Sequence, residues 1–294
     1  MQALLFEDTT SQNAVPPLPE EVPSQSIGQF FRRLFEDYCT VIDVYAVNLA
    51  ALKVHERQDA PCVDYILAVE DLSEYSIADF KVNVANRIRD RLIQHASKTF
   101  APAGAALEIK SSDIDDLDTI SRETLQSFDP VAIWAALEGK YGQDAGKEEA
   151  WRQVAAKIIN EFWLKKGSEV RRKGNYTSLD LRVYIDSIDK KFDKTNRLHY
   201  NARQSVSKTC LALASFAQWA GRDLLWIDLK RLADFWWRAN GREAIIESHQ
   251  KNICGDNGEV VMITFTSRFE FRFRSDVAEQ LQAFLGTYGV FRDK

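Results

Sequence analysis

The chain has 294 residues, enough for one large core or two modest ones, and is 45% hydrophobic and 28% charged, as ordinary globular proteins are. Its net charge of −5 argues against nucleic-acid binding by the surface as a whole, and its four scattered cysteines, without a CxxC, argue against a disulfide framework. No uncharged apolar run approaches the roughly 20 residues of a membrane span, and the N-terminus lacks the basic start of a secretory signal, so the chain reads as cytoplasmic.

Charge is distributed unevenly. Residues 1–130 hold 11 Lys and Arg against 22 Asp and Glu, a net of −11, whereas residues 131–294 hold 27 against 21, a net of +6. Such asymmetry separates an acidic part from a basic, anion-facing one.

Residues 1–25 contain Pro16, Pro17, Pro19 and Pro23 among small polar and acidic residues, which predicts a disordered leader. From Ser26, a candidate N-cap, apolar residues recur at spacings of three and four through Phe31, Leu34, Tyr38, Val41, Tyr45 and Leu52, predicting a helix that ends near Arg57. A second stripe, Ile77, Phe80, Val84, Ile88 and Leu92, predicts a helix over residues 76–100 that pairs with the first. Residues 26–110 therefore read as a helical hairpin or bundle. An acidic linker follows over residues 111–128, with five carboxylates from Asp113 to Glu123 and without the glycine or terminal glutamate of a calcium loop.

Residues 129–294 read as an α+β domain, helices packed on a small antiparallel sheet, and the chain as a whole is expected to be mainly helical. Asp129-Pro130 opens a short helix, and a longer one is predicted over residues 148–164. Thr177, Leu179, Leu181, Val183 and Ile185 alternate with polar residues, predicting a strand. Helices over residues 202–220 and 225–239 and a short strand over residues 244–249 follow. The clearest signal is residues 259–274, where Val261, Ile263 and Phe265, then Phe269, Phe271 and Phe273, alternate with polar neighbours. They predict a hairpin with those six residues facing the core and Arg268, Glu270, Arg272 and Arg274 on the other face. A helix capped by Ser275 is expected next, with Asp276 in its first turn.

Catalytic signatures are missing. Gly142 to Lys147 is one residue short of a phosphate loop and is followed by Glu148 where Ser or Thr is required. No GxGxxG follows a strand, no GxSxG marks a nucleophile, and the four histidines lie apart from one another, so no cofactor, metal or catalytic residue is assigned. Phe128-Asp129-Pro130 departs from the loop of amino methyltransferases because Val131 replaces its second proline. Asp180, Asp189 and Lys191 make a weak pattern for a Mg²⁺-dependent nuclease. Basic residues carry more: residues 163–208 hold 12 Lys and Arg against 5 Asp and Glu, interleaved with Tyr176, Tyr184, Phe192 and Tyr200. Phosphate neutralisation beside rings that stack bases is how many proteins hold nucleic acid. The candidate contacts are Lys165, Lys166, Arg171, Arg172, Lys173, Arg268, Arg272 and Arg274. The opposing explanation is that these side chains solvate a face and protect a sheet edge.

The Phe-x-x-x-x-x-Trp helix of residues 128–134, the apolar helix of residues 150–164, the Trp/Phe-rich residues 224–237 and the final strand-turn-strand-helix are similar to an uncharacterised bacterial family. The second half resembles domain of unknown function 4942, found on plasmids and integrative elements. The turn at Thr266-Ser267-Arg268 departs from that family's Asn-Gly-Asn, while residues 269–276 look similar. Some relatives carry adenine methyltransferase domains, so the resemblance implies work near DNA, and no activity. The combined expectation is a non-enzymatic accessory protein of a mobile element that contacts DNA, RNA or a nucleoprotein complex through its basic half. The alternatives are a protein-interaction or inhibitor protein acting on a host or defence complex, and the nuclease.

Overall fold

The computed structural model describes residues 24–59, 74–110, 119–165, 171–185, 196–239 and 244–291. In chain order these form α1 (Ser24–Asp59), α2 (Glu74–Thr99), α3 (Pro130–Tyr141), α4 (Ala145–Glu161), β1 (Arg171–Lys173), β2 (Tyr176–Arg182), α5 (Tyr200–Trp219), α6 (Asp223–Arg238), β3 (Lys251–Cys254), β4 (Val260–Thr264), β5 (Arg268–Arg274) and α7 (Ser275–Tyr288). The protein is α+β and mainly helical. It divides into two compact units, Met1–Leu92 with Thr119–Ala135, and Ile93–Asp118 with Ala136–Lys294. The leader expected over residues 1–25 lies outside the described residues except for its last two, which open α1. Residues 111–118 of the acidic linker lie outside them as well.

In the first unit, α1 begins two residues before the predicted cap at Ser26. It is held near its start by residues 128–134. Gly28 is buried against that segment, and a Cβ there would sit 2.9 Å from the Val131 Cα. Phe35 meets Phe128 edge-on at 5.0 Å, and Arg32 donates to the Asp129 carboxylate. Asp129 also accepts the Val131 N–H at 2.9 Å, so one carboxylate caps α3 and binds α1. Burial opposes the charge of Asp129, but Arg32 and the Val131 and Ala132 N–H groups outweigh it and hold the carboxyl below its ordinary range. A second clamp is reciprocal: the Asn86 side chain donates to the Ile120 carbonyl at 2.9 Å and accepts the Ile120 N–H at 3.1 Å.

The second unit is built on a five-stranded antiparallel sheet in the order β1-β2-β5-β4-β3. Phe269, Phe271 and Phe273 are fully buried, as the period-two pattern predicts. Trp236 from α6 packs on Phe269 at 5.4 Å, and Phe162, just past α4, packs on Phe271 at 5.4 Å. Phe284 of α7 gathers Trp151, Phe216, Trp219 and Tyr288 around it, with ring centroids 5.0–6.1 Å away. The helices cover the phenylalanine face.

Four local expectations are corrected. On β4 the residues that share the phenylalanine face are Val260, Met262 and Thr264, not Val261, Ile263 and Phe265, because the turn pairs Thr264 with Phe269 and Met262 with Phe271; Ile263 is buried all the same, 4% exposed, on the opposite face. Ser275 is the first helical residue rather than the cap; its hydroxyl donates to the Asn175 carbonyl at 2.8 Å. Residues 244–249 form one isolated bridge, Ile245 to Arg197, and the strand comes later, as β3, after His249 turns the backbone at φ 69°. Helix α4 ends three residues early because Trp163 adopts φ 54° while the Leu164 N–H reaches back to the Ile159 carbonyl, a Schellman stop.

The Gly28 contact makes a testable prediction. Gly28→Val forces a side chain into backbone and should destabilise the first unit by about 1–3 kcal/mol. A methyl group added at Gly139 in α3 would have nothing within 4 Å, so Gly139→Ala should be neutral or stabilise by roughly 0.5–1 kcal/mol. Urea unfolding midpoints of the two variants would separate these outcomes.

Candidate nucleic-acid interface

The strand registers put most of the candidate cations in rows across one sheet. In an antiparallel ladder, residues directly opposite share a face. One row is Arg171, Ser178, Arg272, Val261 and Ile253; the next is Lys173, Tyr176 and Arg274. Toward the other strand ends, Asp180 lies opposite Glu270, and Arg182 opposite Arg268. In the backbone register of β1 and β2, Arg172 pairs with Thr177. Lys165 is exposed just after α4, and Lys166 lies outside the described residues. Register and alternation along β2 and β5 therefore bring Arg182, Arg268, Arg272 and Arg274 to one face, with β1 beside them in the sheet.

Proximity does not make these cations equally available. Arg274 donates to both oxygens of Asp276, at 2.6 and 2.8 Å, and to the Asp256 carbonyl. Asp276 also accepts from Arg222 at 2.8 Å, and Arg222 contacts Glu259 and the Gln280 side chain. Glu259 is only 8% exposed and lies 3.4 Å from Arg274 as well. This network joins the residue before α6, the approach to β4, the end of β5 and the first turn of α7. Arg274 is pulled well above its ordinary range by the Asp276 hydrogen bonds, and Asp276 is held well below its own, first by Arg274 and then by Arg222.

Arg272 forks onto Glu270 at 3.1 and 3.2 Å, and that carboxylate is 2% exposed. Arg268 is less satisfied. Its nearest carboxylate oxygen, on Asp180, is 3.5 Å from Nε, and Nε has no hydrogen-bond acceptor although it is shielded from solvent. Its guanidinium lies over the Phe265 ring, 4.7 Å from the centroid. Arg182, opposite Arg268, is exposed and has no hydrogen-bond or ion-pair partner among the described residues. The sequence patterns marked Arg182 only as a polar position in a strand.

Two aromatic residues adjoin this end of β2. The buried–exposed alternation continues past the strand through Val183, 4% exposed, to Tyr184, 74% exposed. The Val183 N–H bonds the Ser267 carbonyl, and the His199 N–H bonds the Tyr184 carbonyl at 3.1 Å. Tyr200, exposed at the start of α5, stacks under Arg203 and accepts from Gln204. Bridges of Ile185 to Leu198 and Arg197 to Ile245 fix the backbone that carries both tyrosines.

Other chemistries gain little. Among the described residues no three His, Cys, Asp or Glu side chains gather as a metal site requires. Asp180, the nuclease candidate on β2, faces Arg268, while Asp189 and Lys191 lie outside the described residues. Cys210 and Cys254 are buried, and burial, then Asp228, pushes the Cys254 thiol up to about 12, which removes it as a nucleophile. No helix among the described residues is long and apolar enough to cross a membrane. No protein-family model, curated protein or solved structure matches the chain.

The Arg222–Glu259–Arg274–Asp276 network predicts an acid-side response. A carboxyl whose folded pKa is depressed contributes stability above its unfolded value, near 4, and loses it as pH falls. Asp276 and Asp129 both belong to this class. Asp276→Asn should therefore lower the urea midpoint at pH 7 and flatten its decline between about pH 5 and pH 2. An unchanged pH 7 midpoint would remove the network from the stability account.

Proposed function

We propose that the protein is a non-enzymatic nucleic-acid-binding protein that holds a single strand on the charged face of its second unit. The observation that carries this reading is the pair of exposed tyrosines, Tyr184 and Tyr200, on adjoining backbone beside the arginine rows of β2 and β5. Rings of this kind stack bases of any sequence, while arginines neutralise the phosphates between them. Duplex DNA offers its bases no such access, so single strands are the favoured ligand. The binding residues differ from those that charge patterning alone suggests: Arg182, Tyr184, Tyr200 and Arg268 take the leading places, and Arg272 and Arg274 serve the fold. A mobile-element setting, and attachment to a nucleoprotein complex, belong to the same proposal and rest on the sequence resemblance alone.

Fluorescence anisotropy with DNA and RNA oligonucleotides tests it. Binding should favour single strands over duplexes and weaken as salt rises from about 50 to 200 mM, by roughly 7-fold for the two phosphate contacts of Arg182 and Arg268 at a slope of about −1.4. Tyr184→Ala and Tyr200→Ala should each cost about 1–3 kcal/mol, or about 5- to 150-fold in Kd. Absence of binding to any strand at low salt ends this reading.

A protein-interaction role is favoured by one separate observation in the first unit. Phe30, Tyr38, Val41, Val44, Tyr45 and Val47 of α1 are 47–68% exposed. Tyr38, Val41 and Tyr45 continue the three-four spacing of Phe31 and Leu34, the seam of a helix that pairs with another. With a second copy of the chain as the partner, light scattering would give a dimer and Val41→Glu with Tyr45→Glu a monomer. A wild-type monomer at every concentration would exclude that pairing.

A further inference from the structure

Arg182 and Arg268 present an arrangement that a folded sheet has reason to avoid. They lie directly opposite on adjacent strands. The hydrogen bond from the Val183 N–H to the Ser267 carbonyl makes residues 183 and 267 the bonded positions, so 182 and 268 are a non-bonded pair. In such pairs the Cα atoms are about 4.5 Å apart and the side chains are closest. Like charges there repel unless something of opposite charge lies between them.

The other like-charged pair on this face is compensated from within the protein. Asp180 and Glu270 are opposite one another, and Arg268 approaches the first while Arg272 binds the second through both oxygens. Counting outward from that row, each carboxylate has its guanidinium, and Arg182 is left over. Arg268 is shared between Asp180 at 3.5 Å and the Phe265 ring, with 42% of its side chain exposed. One guanidinium is thus held in place by a ring and a carboxylate, and its neighbour across the strand has no partner among the described residues.

We propose that Arg182 and Arg268 form a seat for one phosphate group, the oxyanion taking the position between the two guanidiniums. Arg268 supplies the fixed side of the seat and Arg182 closes from the exposed strand end. Guanidinium donors are matched in geometry to phosphate oxygens, and two of them neutralise the charge of a phosphodiester while relieving their own repulsion. The seat deepens the nucleic-acid reading by naming where the backbone is gripped, two residues before Tyr184, and in that role it rests on that reading. Phosphate chemistry itself does not depend on it, since a free phosphate or a phosphorylated small molecule presents the same oxygens.

Two measurements keep those questions apart. The first is the thermal unfolding midpoint with inorganic pyrophosphate, against a sodium chloride control of equal ionic strength. The wild-type chain should be stabilised by pyrophosphate beyond the salt control. Arg182→Gln should unfold at the same or a higher temperature than wild type without the anion, because a repulsion is removed, and should lose the pyrophosphate increment. The charge-matched surface variant Arg152→Gln should keep it. A wild-type chain without an increment, or an increment equal in Arg182→Gln, overturns the seat. The second measurement is oligonucleotide binding as a function of salt, where losing both arginines should reduce the slope of log K against log salt by roughly 1.4, about 0.7 for each phosphate contact on a single strand. If wild type binds the oligonucleotide and the slope does not change, the seat is not used for nucleic acid and the proposal fails in the form given. If pyrophosphate protection depends on Arg182 but no oligonucleotide binds, the seat stands and the nucleic-acid reading falls.

Discussion

One backbone hydrogen bond, from the Phe265 N–H to the Arg268 carbonyl at 2.9 Å, closes the turn between β4 and β5. Its position pairs Thr264 with Phe269 and so assigns every side chain of the hairpin to a face. Phe269, Phe271 and Phe273 then meet the helices in company with Thr264, Met262 and Val260. A slip of one residue in β4 would exchange Met262 for Ile263 in that core and turn Val261 inward. Which cations share rows is set beside it by the separate pairings of β2 with β5 and of β1 with β2. On β5 the two faces are linked by alternation, so burying Phe269, Phe271 and Phe273 turns Arg268, Glu270, Arg272 and Arg274 to the other side.

Given those rows, electrostatics sorts the arginines. Glu270 and Glu259 are almost wholly enclosed, and an enclosed carboxylate has to be paired. Arg272 answers the first, and Arg222 with Arg274 answers the second. These ion pairs keep the polar groups of a partly covered sheet satisfied, and in doing so they consume cations that composition alone would count as available. Arg222 contributes further by tying three elements far apart in sequence, the region before α6, the approach to β4 and the opening turn of α7.

Much of this frame was legible in the residues. The phenylalanine alternation identified β5 and its buried face, and Asp129-Pro130 identified the start of α3 because an aspartate cap and a proline at the first helical position act through local geometry. The parity of β4 was hidden, since Val260, Val261, Met262 and Ile263 are apolar on both faces and only the turn distinguishes them. Arg171, Arg172 and Lys173 read as a basic run of candidate phosphate contacts with no strand pattern, yet they form β1, whose partner strand lies across a tight Gly174 turn with φ 61°. Arg182 was invisible as a site residue for a related reason. Its distinction is the lack of a carboxylate partner among the described residues, and which carboxylate serves which arginine is decided by cross-strand neighbours up to about 90 residues away in the chain.

That distinction also determines where the proposed phosphate would be favoured. A phosphate that displaced Glu270 from Arg272 would leave a carboxylate that is 2% exposed without its cation, at about 3–5 kcal/mol, a factor of at least 100 in affinity. At Arg182 no internal bond is broken and an existing repulsion is relieved. A charge-assisted bond to phosphate is worth about 1.5–3 kcal/mol, less than the penalty at Arg272 and uncontested at Arg182. The basic character of the second half thus resolves into cations committed to holding the sheet and, at the β2 end, Arg182, which has no carboxylate partner among the described residues. The tyrosines adjoin Arg182, and it is there that the proposed strand would be held.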